Sequence, residues 1–276
     1  MKRGTRILLG VAVIMGIAAP VGAFSGGTAV AAPFFRPPVP YTCTGGDAQT
    51  GTFVPIPSGT YANITVRGAC RPAPGAVINV IGDINVADNA VFDAQSYPST
   101  ITVGHEVTAA SGSFLGLGCL PDPTSTSTTG HPCVDASGNP TTGSSDITVY
   151  GNVFAWDANT VLLNGITVKW NVALIGGGGA IPWAIKTNTI GGSLLVSNVT
   201  PDWLGVIVNK IGGSVILANV HITDTDPNPA IFVASNTVGQ NLACWGLAPA
   251  VSGGFGNEHN IVGGRSFGQC ANLTDE

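Results

Sequence analysis

Charged side chains are scarce in this chain. Ten Lys and Arg and fifteen Asp and Glu occur among 276 residues, which makes 9%, whereas an ordinary soluble domain carries about a quarter. This scarcity excludes a coiled coil, a charge-rich disordered chain and a nucleic-acid binder that depends on Lys and Arg. The 39 glycines follow no period of three residues, so a collagen-like chain is excluded as well.

Apolar runs long enough to cross a membrane are also missing. The run of 13 residues from Ile7 to Ala19 falls short of the roughly 20 that a membrane span needs. It follows Lys2, Arg3 and Arg6 and precedes small residues, which is the order found in a secretory signal peptide. A membrane anchor is the alternative. We predict a signal peptide over residues 1–32, no membrane span after its removal, and a secreted protein that is extracellular or associated with the cell wall.

Loss of the three N-terminal cations would take the formal charge from −5 to −8. A mildly acidic mature protein disfavours anionic partners, so no nucleic-acid partner is expected.

All six cysteines lie in the mature part of the chain. An even number of cysteines in an exported protein predicts disulfide bonds. Pairing of nearest neighbours would give Cys43–Cys70, Cys119–Cys133 and Cys244–Cys270, although six cysteines allow about 15 connectivities. Zinc is the rival interpretation, but no CxxC or HxxxH spacing occurs. We therefore expect no metal and no cofactor.

A repeat of short apolar-x-apolar segments fills the centre of the chain. Its marker residues are Val80, Val103, Val149, Val168, Ile190, Ile211, Val238 and Val262. The step of 46 between the second and third markers is interpreted as two periods, and the other steps measure 19 to 27 residues. Periods of this length with strand-like units are typical of solenoid coils. The sequence predicts an all-β, single-stranded parallel β-helix of about eight coils, expected to be right-handed, with disulfides at its ends.

Alternation within each unit predicts a stacked core. Pairs such as Val153/Ala155 and Leu194/Val196 should share the inner face of successive coils. The Gly pairs that precede some of them would permit tight corners with positive φ. An asparagine recurs at one corner, where stacked amides can form a ladder of hydrogen bonds, at Asn188, Asn209, Asn236 and Asn260. A β-sandwich is the main alternative fold, but its register would not repeat Asn and Gly at one corner.

The rest of the chain is assigned around these coils. Residues 33–76 are predicted to form an N-terminal cap and the first strands, and residues 77–243 the coils. A Ser-, Thr-, Pro- and Gly-rich loop insertion is expected at 112–145, and a C-terminal cap at 244–276.

The end segments resemble those of a known group. Cys43-Thr44-Gly45, Gly59 to Val66 and Gly68-Ala69-Cys70 look like its N-terminal cap, and Asn241 to Cys244 with Gly268-Gln269-Cys270 like its C-terminal end. The group consists of secreted, largely uncharacterised actinobacterial parallel β-helix (β-solenoid) repeat proteins. The resemblance implies a secreted parallel β-helix and supplies no catalytic residues. The chain departs from the pattern in its 112–145 insertion and in the turn at 224–229.

The densest polar cluster is His221-Ile222-Thr223-Asp224-Thr225-Asp226. Clustered carboxylates serve acid/base chemistry in polysaccharide hydrolases and lyases. We therefore take His221, Asp224 and Asp226 as the catalytic candidates, although Pro227-Asn228-Pro229 favours a simple turn.

Five tryptophans fall at turns or between core columns, and indoles that face solvent can stack on sugar rings. Trp156, Trp170 and Trp203 are the binding candidates, the alternative being that they cover coil edges. The expected partners are a cell-wall polysaccharide or a surface protein. The leading hypothesis is a non-enzymatic structural or binding protein, and the alternative is a carbohydrate-active hydrolase or lyase.

Overall fold

A computed structural model describes residues 37–274, apart from 122–129, 136, 227–228 and 254–258. The predicted signal peptide, residues 1–32, lies outside the described residues. In the described part the chain contains strands and no helix. The strands are β1 (Val39–Cys43), β2 (Val54–Ile56), β3 (Gly59–Val66), β4 (Ala69–Pro72), β5 (Val77–Val80), β6 (Ile84–Val86), β7 (Val91–Ala94), β8 (Thr100–Val103), β9 (Val107–Ala109), β10 (Phe114–Leu117), β11 (Asp146–Val149), β12 (Val153–Trp156), β13 (Thr160–Asn164), β14 (Thr167–Val168), β15 (Val172–Ile175), β16 (Trp183–Lys186), β17 (Thr189–Ile190), β18 (Leu194–Val199), β19 (Leu204–Ile207), β20 (Lys210–Ile211), β21 (Val215–His221), β22 (Ile231–Ala234), β23 (Thr237–Val238), β24 (Leu242–Ala248), β25 (Val251–Ser252), β26 (Ile261–Val262) and β27 (Ser266–Gly268).

Each full coil gives one strand to each of three faces. The first face stacks β5, β8, β11, β14, β17, β20, β23 and β26, and the second stacks β6, β9, β12, β15, β18, β21, β24 and β27. The third stacks β2, β4, β7, β10, β13, β16, β19, β22 and β25. β3 pairs with strands of both the first and the second face. The stacked strands pair in parallel, as between β18 and β21. The chain is an all-β parallel β-solenoid of about nine turns, which confirms the predicted fold class.

The predicted columns form the core. Val153 and Ala155 of β12 are buried, and so are their partners Val172 and Leu174 in β15. The same alternation continues in Leu194 and the coils above, so one apolar column follows the solenoid. Burial of these aliphatic side chains along the stacked strands is the main stabilising term, since each contributes roughly 1.5–3 kcal/mol.

The asparagine ladder is present at the corner between the third and first faces. Asn188 Nδ2 donates to Asn209 Oδ1 at 3.0 Å, and Asn209 Nδ2 donates to Asn236 Oδ1 at 2.9 Å. Asn236 Nδ2 donates to Asn260 Oδ1 at 2.8 Å. Each of these amides is buried and also donates to a backbone carbonyl, as Asn209 does to Ile185 at 2.8 Å. The ladder therefore satisfies the polar groups that this corner buries.

The corner glycines act by close approach and not by positive φ, which corrects one expectation. Gly191 and Gly212 are absent from the positive-φ residues of the described chain. A Cβ on Gly212 would lie 2.4 Å from the carbonyl oxygen of Gly191, one coil below. Positive φ occurs instead at the other two corners, for example at Asn198 and Val208.

The step of 46 residues is one coil and not two, so that interpretation is wrong. Val103 of β8 pairs directly with Val149 of β11. The extra residues leave the solenoid after β10, a regular strand of the third face that lies inside the predicted loop 112–145. We call the described residues of this stretch, 118–121, 130–135 and 137–145, the excursion.

Three disulfides join the predicted nearest neighbours. Cys43–Cys70 ties β1 to β4, and Cys244–Cys270 ties β24 to the segment after β27. Cys119–Cys133 lies within the excursion. The segments 33–76 and 244–276 contain solenoid strands of their own, β1–β4 and β25–β27. The end disulfides therefore link neighbouring coils near each end of the solenoid.

Candidate functional site

The three tryptophan candidates lie at three separate places. Trp156 ends β12 on the second face and is 52% exposed. Trp170 lies in the turn between β14 and β15 and is 63% exposed. Trp203 precedes β19 on the third face, where its ring meets Phe232 edge-on at 5.4 Å. The structure therefore does not unite them in one surface.

The outer side of the second face carries two apolar rows. In β12 to β27 the residue between the two core residues of each strand points outward, and so does the residue that follows them in β12 to β24. Strand register aligns these residues coil on coil. The first row is Phe154, Ala173, Leu195, Ile216, Ala243 and Phe267. The second row is Trp156, Ile175, Ser197, Ala218 and Trp245. We call these eleven residues the apolar face.

Aromatic rings lie at both ends of the apolar face. Phe154 and Trp156 stack at one end, with ring centroids 6.5 Å apart. Trp245 and Phe267 lie at the other end and are 51% and 40% exposed. The residues between them are aliphatic or small and mostly half-buried. Sequence reasoning missed this arrangement because it treated the outward positions as variable, although their apolar identity is visible once the register is known.

A polar row borders the apolar face along the corner between the first and second faces. Its side chains receive backbone N–H groups of the next coil: Asn152 Oδ1 accepts from Asn171 N at 3.1 Å, and Asn171 Oδ1 accepts from Ser193 N at 2.8 Å. Ser193 Oγ and Asn241 Oδ1 continue the pattern toward the C-terminal end. This second ladder is partly exposed, unlike the buried asparagine ladder, and it was not predicted.

The acidic candidates lie in a different place, on the third face. A cavity of about 490 Å³ is lined by Trp203, Phe232, Asp202, Asp224 and Asp226, together with three small or apolar neighbours. Asp224 N donates to the Asp202 carbonyl at 2.8 Å, which stacks these two residues on successive coils. Asp226 N donates to Asp224 Oδ1 at 2.8 Å, as in a local turn. Asp224, Asp226 and Trp203 therefore line the same cavity, which the sequence did not suggest.

His221 is not part of this cavity. It ends β21, is exposed, and pairs with Ala248 of β24. The cavity instead gains Asp202, because the coil spacing brings it next to Asp224. Of the three candidates, Asp224 and Asp226 line the cavity and His221 does not, and Asp202 joins them from the coil below.

A second polar cluster lies where the excursion packs on the third face. Burial lowers the pKa of His131, and the positive charge of Lys186 lowers it further, while Asp93 acts in the opposite direction. Lys186 Nζ donates to the Gly130 carbonyl at 3.1 Å. Asp93 is buried and accepts from Ser96 Oγ at 2.6 Å. Both polar atoms of the buried Asn164 side chain lack a partner.

The described ranges hold neither a cluster of metal ligands nor a helix that could span a membrane. No three His, Cys, Asp or Glu side chains converge there on a position that would hold a metal ion. No helix in those ranges is long and apolar enough to cross a membrane. Comparisons with protein families, curated proteins and solved structures return no match.

Proposed function

We propose that this protein is a secreted, non-enzymatic binding scaffold that presents its apolar face to a partner at the cell surface or in the extracellular space. The observation that carries this proposal is the uncharged character of the face: its eleven residues are apolar apart from one serine. An apolar patch on a soluble protein is typical of an interaction site.

The N-terminal segment and the disulfides support secretion. Residues 1–32 have the order of a signal peptide, and disulfides persist in oxidising compartments. We further propose that the chain is one of the exported actinobacterial β-helix repeat proteins that its end segments resemble. The expected partners remain a cell-wall polysaccharide or a surface protein.

The rigid fold suits a binding role. From β12 to β24 each strand of the second face is hydrogen-bonded to the coil below and the coil above, and β27 is hydrogen-bonded to β24, so the outward side chains keep a fixed spacing. A preorganised surface loses little conformational entropy when it binds. The apolar face offers no acid, base or basic group for chemistry.

A charge placed on the apolar face tests this proposal. The double variant Leu195→Lys/Ile216→Lys puts two ammonium groups in the middle of the face, and both positions are half-buried and outward. The matched control, Thr148→Lys/Thr167→Lys, puts the same charges on two adjacent coils at half-buried outward positions of the first face. We expect sedimentation with isolated cell envelopes to be lost in the first variant and kept in the control. Equal sedimentation of both variants would refute the binding role of this face.

A second candidate function is a carbohydrate-active hydrolase or lyase. The observation that favours it is the cavity in which Asp202, Asp224 and Asp226 face Trp203. Paired carboxylates can supply an acid and a base or nucleophile, and an indole can hold a sugar ring. This candidate requires release of soluble sugar from a polysaccharide by the wild-type protein. It also requires that release to vanish in Asp224→Asn/Asp226→Asn.

A further inference from the structure

The apolar face is long and narrow. From Phe154 to Phe267 it crosses five coil steps, which makes roughly 24 Å at about 4.8 Å per step. Its two rows are two residues apart along each strand, so with the side chains included the width is about 10–13 Å. The resulting area of a few hundred Å² is well below the roughly 800 Å² that each partner of a stable protein complex buries. A second copy of this chain is therefore a poor fit.

The lack of charge on the apolar face disfavours an ionic partner. No member of the two rows is charged. The adjoining row offers amides and hydroxyls such as Asn171, Ser193 and Asn241, and its charged members, Glu106 beyond Asn152 and Arg265 beyond Asn241, lie toward its two ends and have opposite signs. The chain as a whole is acidic, with a formal charge of −5. An acidic protein repels polyanions and anionic lipid surfaces. The complementary partner is electrically neutral and carries both apolar and hydroxyl-bearing surface.

The positions of the aromatic rings at the two ends of the face indicate that the partner lies along the solenoid axis. Trp156 and Trp245 occupy one row four coils apart, a distance of roughly 19 Å along the solenoid axis. Both indoles are about half exposed. A flat face flanked by exposed rings suits a ribbon-like chain that lies along the axis and contacts a ring at each end.

We infer that the occupant of the apolar face is a neutral polysaccharide chain that runs along the solenoid axis. Sugar rings present apolar C–H faces, which stack on Trp156 and Trp245, and hydroxyl edges, which reach the polar row beside the face. The aliphatic middle of the face supports the chain between the two indoles. This inference rests on the proposed function and specifies the partner of the same surface.

Co-sedimentation with defined polymers tests the inference. The probes are cellulose and chitin as neutral polysaccharides, polygalacturonate as an anionic one, and phosphatidylcholine vesicles as a neutral lipid surface. We expect retention on at least one neutral polysaccharide, with an affinity roughly tenfold or more lower in Trp156→Ala/Trp245→Ala, because two stacking contacts are lost. Trp170→Ala is the matched control, since that indole is the most exposed of the three and lies outside the rows. It should bind as the wild type does.

Conservative variants guard against a folding artefact. Trp156→Tyr/Trp245→Tyr keeps two aromatic platforms and should retain most of the affinity, while all variants should keep the wild-type circular dichroism spectrum. Equal binding by the alanine and control variants overturns the inference. So does retention on polygalacturonate or vesicles alone, or concentration-dependent dimerisation that Leu195→Lys abolishes.

Two failures can be told apart. If no neutral polysaccharide binds but envelope binding still depends on Leu195 and Ile216, the inference falls and the proposed function stands. If envelope binding is also insensitive to those residues, both fall.

Discussion

Asparagines link successive coils by hydrogen bonds both at a buried corner and at an exposed corner of the solenoid, and the two sets should differ in how much they stabilise the fold. Asn209 is 2% exposed, donates to Asn236 and to the Ile185 carbonyl, and accepts from Asn188. Asn171 makes comparable bonds at an exposed corner. Water can replace the bonds of an exposed amide and cannot reach those of a buried one.

The Asn209→Ala variant should therefore lose about 3 kcal/mol of unfolding free energy, because several buried polar groups lose their partners. Asn171→Ala should lose less than about 1 kcal/mol. Urea unfolding followed by circular dichroism measures both. Similar losses in the two variants would show that the buried ladder is not a special source of stability.

Glycine is required in this fold either because another backbone lies close to it or because its φ is positive. Substitution by alanine distinguishes the two cases. A Cβ at Gly212 would meet backbone one coil below at 2.4 Å, whereas Gly75 has φ of +70° and open space around it. Gly75→Ala should cost about 1–2 kcal/mol from backbone strain alone. Gly212→Ala should cost more, because backbone atoms cannot move aside without disturbing the stack. Thermal melting gives the order, and the reverse order would contradict the close-approach explanation.

Features that repeat once in every coil could be predicted from the sequence, whereas features that depend on the register between strands could not. The core columns and the Asn ladder were visible because both repeat with the coil. The apolar face was hidden, because Phe154 and Trp245 belong together only through five strands of exact register that no local window contains. The meeting of Asp202 with Asp224 depends in the same way on coil spacing.

Two of the disulfides link neighbouring coils near the ends of the solenoid, and the third lies within the excursion. Cys43–Cys70 and Cys244–Cys270 close segments of 27 and 26 residues and join neighbouring coils, while Cys119–Cys133 closes 14 residues within the excursion. Loop entropy alone gives each a value of about 3–4 kcal/mol. Their structural effects should nevertheless differ, since terminal coils have a neighbour on one side only.

Hydrogen exchange can resolve that difference. In Cys43→Ala/Cys70→Ala the amides of β1 should exchange faster, because the first coil loses its covalent link and can fray. In Cys119→Ala/Cys133→Ala the exchange of the solenoid strands should stay at the wild-type rate. Unchanged β1 exchange in the first variant would show that stacking alone holds the terminal coil.

The contact of the excursion with the third face should respond to pH. The folded pKa of His131 is lowered by burial and by Lys186, so the unfolded or detached state binds more protons. Stability from this contact is then complete above the unfolded value, about 6.5, and falls as pH drops below it. Between pH 7 and pH 5 we expect faster proteolysis within the excursion, and His131→Gln should remove that acceleration. A variant as pH-sensitive as the wild type would assign the effect to another group.

At the scale of the whole described solenoid, the surface separates into regions with different chemistry. The apolar face, from β12 to β27 on the second face, is uncharged. The third face holds the acidic cavity and the excursion, and the first face carries an outward threonine row interrupted by Lys210. The corners of the described solenoid are held mainly by ladders of amides and hydroxyls and not by ion pairs. The fold therefore needs few charged residues, which agrees with the low charged fraction of the sequence. Recognition by stacking and hydrogen bonds is what such a surface can offer.

Oxidative footprinting of the tryptophans distinguishes binding at the apolar face from binding at the acidic cavity. The wild-type protein is oxidised briefly with and without cellulose or chitin, each indole is quantified by mass spectrometry, and soluble sugar is measured in the same supernatant. If the apolar face binds the polymer, the polymer should protect Trp156 and Trp245 and leave Trp170 and Trp203 unchanged, and no sugar should be released. Protection of Trp203 together with sugar release would contradict binding at the apolar face and identify the acidic cavity as the working site.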